Sequence, residues 1–136
     1  MLGLSFVVVL DPKMSSSPTR QKVLVVDDEK VIADTLAIIL SQNGFESSAV
    51  YSGTDAVRRA KESTPDLVIS DVIMPDMNGI QAAIQIRQML PKTKILLFSG
   101  QAATADLLED ARREGHEFEI LAKPVHPQDL LAKLKG

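Results

Sequence analysis

The chain has 136 residues, 45% of them hydrophobic and 24% charged, with a net charge of −3 and no cysteine. That length suits one domain, which can bury about two-thirds of the surface its unfolded chain exposes. The missing cysteines exclude a disulfide framework, a thiol nucleophile and a thiolate zinc site, and the acidic balance with scattered basic residues predicts no nucleic-acid partner.

The first apolar stretch, Leu2 to Leu10, is too short for a bilayer, which needs about 20 residues. It also lacks the charged start and cleavage site of a secretory signal. A cytoplasmic protein without membrane contact is therefore expected. Asp11 to Thr19 is rich in Ser and Pro and reads as linker. Residues 1–20 are expected to be a disordered extension with Met14 as the natural start, and residues 21–136 the folded domain. The rival reading of the first residues is a short apolar arm that docks on the domain.

Val23-Leu24-Val25-Val26 is a β-branched run of the kind found in strands buried on both faces. It stops at Asp27-Asp28. A helix is predicted over about Glu29–Gln42, with Ile32, Leu36, Ile39 and Leu40 inward, ended by Asn43-Gly44. Phe45–Tyr51 reads as a polar edge strand, and Ser52-Gly-Thr-Asp55 opens a helix that runs to about Ser63. Leu67-Val68-Ile69 is a buried strand closing at Ser70-Asp71, before a turn-rich loop from Met74 to Gly79. The next helix, Ile80 to about Leu90, is expected to bury Ile80, Ala83, Ile84 and Met89.

Lys94–Phe98 is a strand ending at Ser99-Gly100, and Ala102–Glu114 a helix stopped by Gly115. Phe118–Ala122 forms the last strand and ends at Lys123-Pro124. The last helix, about Pro127–Lys135, turns Leu130, Leu131 and Leu134 inward. Five strands alternating with five helices imply an α/β fold with a parallel sheet and helices on both faces. The flavodoxin-like, doubly wound order 2-1-3-4-5 fits best, with the polar strands outside.

Four of the five strands end in a reactive side chain: Asp27-Asp28, Asp71, Ser99 and Lys123. Ligands in such sheets bind at the carboxyl ends of the strands, near the switch point between the first and third. Three carboxylates converging there repel one another unless a cation joins them. Oxygen ligands with room for water and phosphate suit Mg²⁺. Singly these signals are weak, since an Asp pair is more often a helix cap and Ser-Gly more often a turn. Their joint order along the chain carries the weight.

Residues 21–136 resemble the receiver domain of two-component response regulators. The resemblance rests on Asp27-Asp28, on Asp71-Val-Ile-Met-Pro75 with Gly79, on Ser99-Gly100 and on Lys123-Pro124. It implies that Asp71 accepts a phosphoryl group from a sensor histidine kinase. It implies a Mg²⁺ site made by Asp28, Asp71, Asp27 acting mainly through water, and the backbone carbonyl of Ile73. Ser99 is then the hydroxyl that turns to the phosphoryl group, Lys123 pairs with it, and the Lys123–Pro124 bond is expected to be cis. The phosphorylated chain, a single-domain regulator, would act by altering its contacts with an output protein. Monomer or weak dimer is expected, through the face of the fourth helix, fifth strand and fifth helix. A phosphorelay shuttle to a histidine phosphotransfer protein and a phosphorylation-independent interaction module are the other readings.

One departure concerns position 120, where the family usually carries Tyr or Phe and this chain has Ile120. Phe118, two residues earlier, points to the same side of a regular strand. An aromatic swing at position 120 is thereby lost. Ile73 and Gln101 flank the expected phosphoryl position, and the apolar Ile73 is expected to hinder water and lengthen the phosphorylated lifetime. The lifetime in Ile73→Asn measures this, a clear shortening being the expected result. Enzyme readings fail. Aspartyl-phosphate phosphatases carry Asp-x-Asp-x-Thr where this chain has Asp27-Asp-Glu-Lys-Val31, and a flavin phosphate would meet two carboxylates there. His116 and His126 read as solvated loop residues.

Overall fold

The computed structural model describes residues 20–100 and 103–135. The expected extension, Met14 included, lies outside the described residues except for Arg20, and so does Gln101. Five strands alternate with five helices among them: β1 Lys22–Val26, α1 Lys30–Gln42, β2 Glu46–Val50, α2 Gly53–Ser63, β3 Leu67–Asp71, α3 Gly79–Met89, β4 Lys94–Ser99, α4 Ala103–Arg113, β5 Glu119–Ala122 and α5 Pro127–Lys135. All pairings are parallel and the order is β2-β1-β3-β4-β5, as the alternating pattern predicts.

The period-two alternation of the strands divides the core in two. Leu24, Val26, Val68 and Leu97 face α2, α3 and α4, where they meet Ala56, Ala60, Ile80, Ala83, Ile86 and Ala111. Val23, Val25, Ile69, Leu96 and Phe98 face the other way, onto Ala33, Leu36, Ala37 and Leu40 of α1 and Leu130 of α5. β3 is buried along its whole length, whereas β2 and β5 occupy the edges, β2 half-buried and β5 largely open. Phe98 is 1% exposed, and burying a side chain of that size contributes roughly 2–3 kcal/mol.

Local chemistry fixes the helix ends. Ser52 Oγ accepts from Asp55 N at the start of α2. Asn78 and Gln81 form a reciprocal capping box at the start of α3. Gly44 and Gly115 take positive φ values of 95° and 92° after α1 and α4, a conformation that costs glycine little.

Two expected helix faces are corrected. Ile32 of α1 is 41% exposed, and the sheet is met instead by Ala33, Leu36, Ala37 and Leu40. The small alanines allow the helix to lie close to the strands, and this turns the bulkier Val31 and Ile32 outward. In α3, Met89 is 38% exposed and Ile84 only half-buried, while Ala82 and Ile86 are buried. Tertiary packing has overridden the choice of the largest side chains.

Candidate functional site

Parallel strands bring their carboxyl ends to one edge of the sheet. Asp27 and Asp28 follow β1, Asp71 is the last residue of β3, Ser99 the last of β4, and Lys123 follows β5. One carboxylate oxygen from each of Asp27, Asp28 and Asp71 lies within 4.8 Å of the other two. Asp27 and Asp71 are buried, and Asp28 is open to solvent. Lys123 Nζ donates to Asp71 Oδ2 at 2.9 Å. Asp27, Asp28, Asp71 and Lys123 are thus brought together at one edge of the sheet.

Asp27 carries the electrostatic tension of this cleft. Its Oδ1 accepts from the Glu29 amide at 2.9 Å, but its Oδ2 is buried with no hydrogen-bond partner among the described residues. Burial pushes the Asp27 carboxyl up from its ordinary value; the Glu29 amide pulls it down, and the Asp71 charge raises it further. A buried carboxylate oxygen left without a donor is costly. Three carboxylates beside one lysine leave negative charge in excess, and all the donors are hard oxygens. The set fits Mg²⁺, which would be held by Asp27, Asp28 and Asp71.

Glycines shape the walls. A Cβ on Gly79 would stand 2.0 Å from the Asp71 carbonyl oxygen, and the Gly79 amide donates to Val72 O at 2.7 Å. A Cβ on Gly100 would stand 2.6 Å from Lys123 Cβ. Both residues are therefore glycine because another chain segment passes where a side chain would be. The Lys123–Pro124 bond is cis. Ser99 Oγ shares a hydrogen bond with Thr104 Oγ1 on α4. Ile73 follows Asp71 in the β3–α3 loop with its side chain 51% exposed.

Residues 23–135 match the response regulator receiver domain. The chain belongs to that family. Phosphorylation on aspartate and Mg²⁺ binding are typical of receivers, which generally signal without being enzymes. This receiver is 31% identical over 117 residues to the DNA-binding response regulator MtrA of Mycolicibacterium paratuberculosis, matching 86% of this chain and 51% of MtrA. Among solved structures it is similar to a receiver domain protein from Clostridium thermocellum, with 32% identity, a TM-score of 0.75 and coverage of 85% and 91% of the two chains. It is also similar to the chemotaxis protein CheY4 of Vibrio cholerae, with 28% identity, a TM-score of 0.76 and coverage of 86% and 98%.

The receiver spans about half the length of the curated relatives it matches. MtrA is named a DNA-binding protein, so the expected absence of nucleic acid finds no support among these relatives. No helix among the described residues is long and apolar enough to cross a membrane.

Two further features bear on the surroundings of the site, and the second escapes the sequence reading. Phe118 lies just before β5, which begins at Glu119, yet it packs on the face that carries Leu97, the partner of Ile120, as the sequence reading expects. It packs half-buried on the α2–α4 side, with the Arg87 guanidinium 4.2 Å from its ring centre, while Arg87 also donates to Glu117 O at 2.8 Å. Ile120 is 36% exposed beside Leu97 of β4. The second feature is Asp76, whose carboxylate accepts from Gly53 N at 3.3 Å, Thr54 N at 3.0 Å and Thr54 Oγ1 at 2.5 Å. No local pattern announces a contact between residues so far apart in the chain.

Proposed function

We propose that the chain receives a phosphoryl group on Asp71 from a sensor histidine kinase and signals by altering its contacts with an output protein. The observation that carries this reading is the convergence of Asp27, Asp28 and Asp71 with Lys123 bonded to Asp71. A carboxylate oxygen of Asp71 attacks phosphorus; the new O–P bond forms as the bond from phosphorus to the donor nitrogen, or to an acyl oxygen, breaks. Lys123 orients the carboxylate through Oδ2 and holds positive charge where phosphoryl oxygens arrive. Bound Mg²⁺ supplies the further neutralisation that phosphoryl transfer needs. The Ser99 hydroxyl exchanges its Thr104 partner for a phosphoryl oxygen, and that exchange reaches α4.

The donor reaches this cleft over an apolar approach. Val31 and Ile32 of α1 are 79% and 41% exposed, beside a groove of about 660 Å³ whose lining includes Leu36, Phe98, Lys123 and Pro124. A kinase docked there by its own apolar surface would meet Asp27 and Lys123, which also line the groove.

The test is intact mass after incubation with acetyl phosphate and Mg²⁺. One phosphoryl adduct is expected, absent in Asp71→Asn and in chelated samples. An adduct that persists in Asp71→Asn would remove the reading.

A further inference from the structure

The β3–α3 loop, residues 72–78, carries Ile73, whose carbonyl the family resemblance makes a metal ligand. The Ile73 side chain is half-exposed. The loop is held elsewhere. Met74 is 7% exposed in the core, and the Gly79 amide closes the loop onto Val72. On its outer side a single side chain, Asp76, takes three hydrogen bonds from Gly53 and Thr54, the first two residues of α2. The two segments also touch by shape, since a Cβ on Gly53 would stand 2.5 Å from Met77 O.

Capping alone does not account for this arrangement. α2 already has its own cap in Ser52, which serves the Asp55 amide. Asp76 serves the amides that Ser52 leaves, and it does so from a loop 22 residues further along the chain. These donors are backbone groups of a rigid element packed against the core through Ala56 and Ala60. The bonds therefore fasten the metal-side loop to a fixed point. Partners behind the ligands of a metal site commonly set its affinity in this way.

We propose that Asp76 is a positioning residue for the Mg²⁺ site, tying the β3–α3 loop to the first turn of α2 and so presetting the Ile73 carbonyl. The proposal rests on the receiver reading of the cleft. Linkage makes the effect reciprocal: if the Asp76 tie favours the cation, the bound cation strengthens the tie.

The experiment is a calorimetric Mg²⁺ titration of the full chain, with amide exchange at Gly53 and Thr54 measured with and without the cation. Wild type, Asp76→Ala and Thr54→Val are compared. Asp76→Ala is expected to weaken binding about fivefold, a size ordinary for coupled sites. Thr54→Val, which removes one of the three bonds, is expected to weaken it less. Saturating Mg²⁺ slows exchange at Thr54 in the wild type and not in Asp76→Ala. A residue that only capped α2 would leave the cation affinity alone, and unchanged affinity in both variants overturns the proposal. Should Asp76→Ala fail to fold, Thr54→Val decides by the same criterion. A wild-type chain that binds no Mg²⁺ overturns it together with the metal reading, whereas a wild type that binds normally confines any failure to Asp76.

Discussion

Asp27 and Asp76 show how differently two carboxylates can be used at one site. Asp27 is buried with an oxygen unserved among the described residues, whereas Asp76 is exposed and engaged through both oxygens. Hydrogen bonds from Thr54 hold the Asp76 carboxyl down at about 2. A depressed carboxyl adds stability above its unfolded value, and that stability is lost as pH falls through the folded value. Urea midpoints of wild type and Asp76→Ala are therefore expected to converge as pH drops from about 4 toward 2. A gap that stays constant over that window would contradict the assignment. The strand-end residues were legible in the sequence because each stands where an apolar run turns polar. Asp76 and Thr104 were not, because their hydrogen bonds join segments that no periodicity relates.

At the scale of elements, the position of β3 against α3 depends on one missing side chain. The Asp71 carbonyl occupies the place where a Gly79 Cβ would be, 2.0 Å away. Backbone cannot yield as a flexible side chain would. Gly79→Ala is expected to cost about 3 kcal/mol or more in urea unfolding, at the upper end of overpacking effects. Element order and type could be read from alternating apolar runs and their stops. Helix rotation was read less well, and α1 shows why. Its sequence offers several apolar residues around the circumference, and Val31 and Ile32 are bulkier than the alanines that meet the sheet. Close approach to the strands selected the alanines. The same rotation left two apolar side chains beside the cleft.

Over the whole molecule, the fold sets an acidic cleft and an apolar surface side by side. The strands deliver Asp27, Asp28, Asp71 and Lys123 to one end of the sheet, and α1 presents apolar surface next to them. Val31→Asp with Ile32→Asp is expected to slow transfer from a kinase at least tenfold, a loss typical of a central apolar contact. Uptake from acetyl phosphate, which needs no docked protein, should stay close to wild type. Equal losses with both donors would instead mean that the substitutions had damaged the cleft.

The unserved oxygen of Asp27 also bears on attempts to improve the protein. Neutralising that side chain relieves burial and repulsion together, so Asp27→Asn is expected to melt at a higher temperature than wild type when magnesium is withheld, as differential scanning calorimetry would show. A thermostability screen run in chelator would thus enrich this substitution early. It would select against the charge on which the proposed cation site depends, and every round would deplete that charge further.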